Sequence, residues 1–138
     1  MMWIYIQLSY VVVVLLIFAI RDIRTQILPD RWILAAFAGS LVIRVIYSPG
    51  SIFNYIGAAL CVGGIIIIIA LISNGGIGGG DVKLLTWLGF SVGLYPTLMV
   101  LLISCVFGLT YVAIWKRGTI PFAPFVFLSF MVCEIVKI

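Results

Sequence analysis

The sequence contains no histidine and only four acidic residues, so few side chains can exchange protons near neutral pH. Without histidine, serine–histidine and cysteine–histidine catalytic pairs and histidine metal sites are excluded. The three cysteines stand alone in apolar stretches with no C-x-x-C pair, which argues against a zinc or dithiol redox site. The remaining candidates for acid–base chemistry are Asp22, Asp30, Asp81 and Glu134.

Charge of either sign is also scarce, since 9% of the residues are charged and 65% are hydrophobic. The mean hydropathy of +1.38 is too high for a soluble domain, whose surface needs more polar side chains. The uncharged runs approach the ~20 apolar residues that cross a ~30 Å hydrocarbon core. The sequence therefore predicts an all-α integral membrane protein. Its first segment lacks the basic start and small-residue cleavage site of a secretory signal, so we expect a retained helix.

Charged, glycine-rich and proline-containing breaks divide the apolar sequence into segments. They predict six transmembrane helices, over residues 2–20, 31–47, 52–72, 82–94, 96–115 and 121–137. The fourth and fifth share one uncharged stretch, which we divide at the turn residues Gly93 and Pro96.

The basic residues predict the orientation of these helices. Six of the eight lie on the side of the breaks after the first, third and fifth helices, and two lie on the other side, Arg44 and Lys137. The six are Arg21, Arg24, Arg31, Lys83, Lys116 and Arg117. By the positive-inside rule those three breaks face the cytoplasm and both termini lie on the extracytoplasmic side. We therefore read the net charge of +4 as a topology signal and expect no nucleic-acid partner.

Asp22 and Asp81 both fall at predicted cytoplasmic helix ends, where an ionisable group often marks a functional site. Asp22 has a simpler explanation, as an interfacial charge balanced by Arg21 and Arg24. Its place near a helix C-terminus argues against that explanation, because a carboxylate there meets the negative end of the helix dipole.

The other two acidic residues have simpler structural explanations. Asp30 precedes the second helix, which favours an N-cap that accepts backbone N–H groups. Glu134 stands three residues before Lys137, a spacing that favours an ion pair on one helix face.

Asp81 ends the run S-N-G-G-I-G-G-G-D-V-K, in which five of the six residues from 75 to 80 are glycine. An N-cap needs no such run, whereas glycines leave a backbone that another chain can approach closely. The run lacks the G-K-[ST] ending of a P-loop and the pattern of a dinucleotide site. An extended peptide is the better ligand for this segment.

Three segments resemble the type IV prepilin peptidases, which belong with the intramembrane aspartyl proteases that carry a G-x-G-D motif. They are D-I-R-T-Q-I-L-P-D (22–30), G-G-G-D-V-K-L (78–84) and I-P-F-A-P-F (120–125). In the third, Ala123 replaces a glycine that is usual in the family. The three segments occur in the family's order and, with six predicted helices, extend the resemblance over nearly the whole chain.

The resemblance implies that Asp22 and Asp81 are the catalytic aspartates and that no metal or other cofactor takes part. We assign Gly78, Gly79 and Gly80 to substrate binding as a hypothesis. The other motif positions, whose roles the resemblance does not define, are Pro29, Asp30, Lys83, Pro121 and Pro124.

The implied function is an intramembrane aspartyl endopeptidase of the inner (cytoplasmic) membrane. It would remove a short basic leader peptide from type IV prepilin-like or preflagellin-like membrane proteins at the cytoplasmic face. Many members add a cytosolic N-terminal domain with paired cysteines for N-methylation. We expect residues 1–138 to form a single membrane-embedded peptidase domain, with no methyltransferase domain.

The helix dipoles suggest how such a pair divides its work. Asp22 near a helix C-terminus should have a raised pKa and Asp81 near a helix N-terminus a lowered one, which would make Asp81 the base.

Two other classes remain open on the residues alone. A small channel or transporter could use the aspartates to bind cations, although such sites usually lie at mid-membrane. A structural subunit of a secretion or pilus assembly complex would need them only as caps and interfacial charges.

Overall fold

The computed structural model describes residues 2–25, 30–47, 52–72, 79–115 and 123–136, and these form six α-helices. The helices are α1 (Met2–Thr25), α2 (Asp30–Tyr47), α3 (Ile52–Ile72), α4 (Gly79–Val92), α5 (Leu94–Trp115) and α6 (Ala123–Val136). The all-α prediction is confirmed for this part of the chain, and most helix limits lie within three residues of the predicted ones.

The break between α4 and α5 falls at Gly93, as the turn residues predicted. Gly93 has a φ of 99°, in the left-handed region that favours glycine, and its N–H donates to the Gly89 carbonyl at 3.0 Å. This backbone bond is the usual way in which a glycine ends a helix.

The first helix is longer than predicted, because it continues to Thr25 instead of ending at residue 20. Charged residues mark where a helix leaves the hydrocarbon, but they do not stop helix formation as glycine and proline do. Asp22 therefore lies within the last turn of α1 and not beyond its end.

The core forms around α4, which packs against α1, α2, α3 and α5, while α6 packs against α1 and α5. The ring of Phe18 meets the ring of Trp87 edge to face, with centroids 5.9 Å apart. The buried apolar side chains include Val11, Leu15, Phe18, Ile33, Val62, Ile66, Leu84, Leu85, Trp87, Leu88, Val100, Val126 and Phe130.

Polar contacts between helices accompany this apolar packing. The Trp87 indole N–H donates to Ser40 Oγ at 3.0 Å, and the Ser40 and Ser91 hydroxyls lie 2.9 Å apart. The Tyr10 hydroxyl donates to the Ala36 carbonyl at 3.1 Å, in space that a Cβ at Gly39 would occupy. Small residues and hydroxyl groups of this kind are common where helices pack within a membrane.

Three of the described helices are long and apolar enough to cross a membrane, over Ile4–Arg24, Ile52–Ile72 and Leu94–Ile114. Their outward side chains are largely apolar and exposed, as lipid contact requires. The membrane character is therefore supported, and six crossings with both termini outside stay a prediction.

Candidate active site

Asp22 is a buried carboxylate at the end of α1, with 6% of its surface exposed. Its Oδ2 accepts a hydrogen bond from the backbone N–H of Ala123, the first residue of α6, at 2.9 Å. The first N–H groups of a helix have no partner within the helix, and the dipole there favours negative charge. The start of α6 thus offsets the unfavourable dipole of α1 at the same carboxylate.

Asp81 lies in the first turn of α4, ahead of its apolar part, and is partly buried. Burial, and secondly the nearby charge of Asp22, raises the pKa of the Asp81 carboxyl to about 6. The structure therefore brings together two carboxyl groups that are 59 residues apart in the sequence.

The raised pKa of Asp81 shows that the expected lowering of its pKa by the helix N-terminus was wrong. A helix N-terminus is worth only ~0.3–1 kcal/mol to a surface carboxylate. Burial and a second carboxylate act in the opposite direction and are larger here. Asp81 therefore binds a proton more readily than an ordinary aspartate, and the Ala123 N–H donates to Asp22 Oδ2.

Asp30 and Lys83 form an ion pair, between Asp30 Oδ1 and Lys83 Nζ. Asp30 begins α2, where the sequence predicted a cap, and Lys83 lies two residues after Asp81 on α4. The pair therefore ties the start of α2 to the first turn of α4. The sequence analysis did not predict this ion pair, although the opposite charges of Asp30 and Lys83 in two of the three motifs indicated a possible contact.

Gly79 and Gly80 are the first two residues of α4. The predicted start of the fourth helix at residue 82 is therefore three residues late, because α4 begins ahead of Asp81. As first-turn residues they have N–H groups that α4 itself does not use. Their role in substrate binding stays a prediction.

The remaining motif positions are divided between described and undescribed parts of the chain. Pro124 is the second residue of α6 and is partly buried. Proline is tolerated there because a first-turn residue needs no N–H donor within the helix. Gly78, Pro29, Pro121 and the predicted Glu134 partner Lys137 lie outside the described residues.

A carboxyl pair of this kind can do acid–base chemistry in a chain without histidine. Because the two groups repel each other when both are ionised, one member holds a proton while the other accepts one. A bound water or a carbonyl group between them could therefore exchange protons with both.

Comparison with known proteins shows the family of this chain. The model of the type IV leader peptidase family matches residues 9–113, which include both carboxyl groups. A "Prepilin leader peptidase/N-methyltransferase" of Bacillus subtilis (strain 168) is 34% identical over 119 residues, covering 80% of this chain and 47% of that protein. The chain thus spans about half the length of this relative, and no solved structure matches it. The chain belongs to the type IV leader peptidase family.

Proposed function

We propose that this chain is an intramembrane aspartyl endopeptidase that removes the short basic leader from prepilin-like or preflagellin-like membrane proteins. The observation that carries the proposal is the approach of Asp22 and Asp81, with a pKa of about 6 at Asp81. Family membership supports peptide cleavage as the reaction. The methyltransferase part of the relative's name is not carried over, because this chain covers 47% of that protein.

In the proposed reaction Asp22 is the base and Asp81 is the acid. The Asp22 carboxylate takes a proton from a water molecule, whose oxygen attacks the carbonyl carbon of the scissile peptide bond. Protonated Asp81 gives its proton to the carbonyl oxygen as negative charge develops there. As the tetrahedral intermediate collapses, the hydroxyl proton returns to Asp81 and Asp22 protonates the leaving amine, so the pair regains its starting state.

The Ala123 N–H holds Asp22 in this scheme. Its hydrogen bond to Oδ2 fixes the orientation of the carboxylate relative to the start of α6. A charge-assisted hydrogen bond of this kind also stabilises the carboxylate form that the base requires. The start of α6 is thus a positioning element for the base.

The Asp30–Lys83 ion pair positions the acid. It fixes the first turn of α4 against the start of α2, and Asp81 lies in that turn. Both partners are largely exposed, so the pair is worth only ~0.2–1 kcal/mol and is screened by salt. We assign it a supporting role and no part in proton transfer.

The substrate enters as an extended segment beside the first turn of α4. Gly79 and Gly80 precede Asp81 and carry no side chain, so a peptide backbone can come close to the helix start. On the predicted topology this end faces the cytoplasm, where a basic leader ahead of a transmembrane helix would be found.

Co-expression with a prepilin-like substrate tests the proposal. The substrate is a single-span membrane protein with a basic cytoplasmic leader, and mass spectrometry reads its new N-terminus. Wild type should release the leader, while Asp22→Asn and Asp81→Asn should leave the substrate intact although both variants reach the membrane. Asp30→Asn is the matched control and should retain cleavage. Processing that survives either of the first two substitutions refutes the carboxyl pair.

A further inference from the structure

Two fully buried serines join α5 to α6. The Oγ atoms of Ser104 on α5 and Ser129 on α6 lie 3.0 Å apart. Each hydroxyl also lies near a carbonyl of its own helix, Ser104 Oγ at 2.6 Å from that of Val100 and Ser129 Oγ at 2.7 Å from that of Phe125. Two hydroxyl oxygens in such close contact repel each other unless a proton lies between them, so one serine donates to the other. The proposed peptidase reaction uses neither serine.

Phe125 is a second point of contact between the same two helices. Its ring meets the ring of Tyr111 on α5, with centroids 5.5 Å apart. Residues two apart in an α-helix point about 200° apart around the axis, so Phe125 and Ala123 lie on nearly opposite sides of α6. The ring contact therefore limits the rotation of α6, while the serine hydrogen bond limits its movement along the axis.

The hydrogen bond at the start of α6 depends on this axial position. The Ala123 N–H donates to Asp22 Oδ2 at 2.9 Å, and such bonds are confined to about 2.7–3.2 Å, so a shift of α6 by ~1 Å would break it. Apolar packing alone controls such a shift poorly, because it has no preferred direction and lipid tails compete for the same surfaces. A hydroxyl hydrogen bond has a preferred distance and angle. Ser129 lies ~9 Å along the same helix from Ala123, close enough to fix its position.

We propose that Ser104 and Ser129 are positioning residues of the peptidase. Their hydrogen bond holds α6 at the height at which the Ala123 N–H meets the proposed base, Asp22. The inference rests on the proposed function, because the serines act on the reaction only through Asp22. Neither serine contacts the substrate or transfers a proton in this scheme.

Single-turnover cleavage of a prepilin-like substrate in lipid nanodiscs gives the first test. Ser104→Ala and Ser129→Ala should each lower kcat about three- to tenfold, the range that one hydroxyl bond between membrane helices can supply. KM should stay within about twofold of wild type. Thr110→Val is the matched control, because the Thr110 hydroxyl donates to the Val106 carbonyl within α5, and it should leave kcat unchanged. Wild-type kcat in both folded alanine variants overturns the inference.

A double variant separates positioning from a general loss of stability. Ala123→Pro removes the N–H that the serines position, so adding Ser104→Ala to it should slow cleavage no further. A purely structural role would lower kcat by the same factor in either background. Losses that multiply therefore contradict the inference.

Amide exchange follows the same contact without a substrate. In the isotope-labelled full chain, the Ala123 amide should exchange with deuterium at least about threefold faster in Ser104→Ala than in wild type or Thr110→Val. If neither alanine variant folds, Ser104→Cys decides the question, because its thiol is similar in size but a weaker donor. It should change kcat and Ala123 exchange in the same directions by smaller factors, and no change in either overturns the inference.

Failure of the inference is distinguishable from failure of the proposed function. If the wild-type chain cleaves no prepilin-like substrate, the function fails and the inference fails with it. If wild type cleaves, Asp22→Asn does not, and both serine variants match wild type in kcat and Ala123 exchange, the inference alone is wrong.

Discussion

Replacing Ala123 by proline removes the N–H group that donates to the proposed base, at a position where a helix accepts proline. Ala123 is the first residue of α6, a position where proline is well tolerated because its N–H has no role within the helix. Its N–H donates to Asp22 Oδ2 at 2.9 Å, across 101 residues of sequence. Ala123→Pro therefore deletes the contact that positions the carboxylate.

The expected loss follows from the strength of such a bond. A hydrogen bond to a charged group is worth ~1.5–3 kcal/mol. If the bond acts fully in the transition state, kcat falls roughly 10- to 150-fold, because each ~1.36 kcal/mol is a factor of about ten. KM should change little, since the substrate does not contact this N–H in the proposed scheme.

Ala123→Val is the matched control for this substitution. Ala123 is fully buried, so valine and proline both add carbon atoms to the same tight space, but valine keeps the N–H. The assay is single-turnover cleavage of a prepilin-like substrate in lipid nanodiscs, with thermal unfolding to compare stability. Equal activity of the proline and valine variants would refute the role of the α6 start.

Three further predictions concern the acid, its support and the packing of the bundle. Since protonated Asp81 is the acid and its pKa is raised to about 6, kcat/KM should fall as pH increases above ~6, and activity that keeps rising to pH 8 would contradict this. Asp30→Asn and Lys83→Gln should each slow cleavage by at most about fivefold, because the ion pair is worth ~0.2–1 kcal/mol. The double variant should be no slower than the slower single variant, because both substitutions remove the same ion pair. If the loss of the double variant instead equals the product of the two single losses, Asp30 and Lys83 do not act through their shared ion pair. Gly39→Ala should lower the free energy of unfolding by ~1–3 kcal/mol, because the new Cβ overlaps the Tyr10 hydroxyl. Gly64→Ala is the control: its Cβ meets no atom within 4 Å, so thermal unfolding should show no loss of stability or a gain.

The helices could be predicted because the sequence marks their ends chemically. Glycine, proline and charge separate the apolar runs, and Gly93 divides α4 from α5 as expected. The end of α1 was missed because its last residues are charged but still form a helix. Local composition thus predicts helix ends made by glycine or proline more reliably than helix ends that carry only charge.

The two carboxyl groups were identifiable as candidates, but their environment was not. The α6 N–H that binds Asp22 lies 101 residues away, and the partner of Asp30 lies 53 residues away. Such contacts depend on how helices pack, which sequence periodicity does not specify. The expected direction of the Asp81 pKa was wrong for the same reason, since a local dipole was considered and the burial of Asp81 was not.

Arg44 illustrates the same limit at the other end of the bundle. From the sequence it served only as a basic residue that reports orientation. The structure places it in the last turn of α2, with 2% of its surface exposed, against Ser91 and Tyr55. No pattern near Arg44 in the sequence distinguishes a buried arginine from an interfacial one.

The most direct test of the account measures single-turnover cleavage by purified Asp22→Asn, Asp81→Asn and the double variant in nanodiscs. A general acid or base contributes ~10²–10⁴-fold, and two residues that act on one proton cannot be removed independently. Each single variant should therefore lose at least ~100-fold, and the double variant should be no slower than the slower single one. Cleavage within about tenfold of wild type in either folded single variant would contradict the central claim.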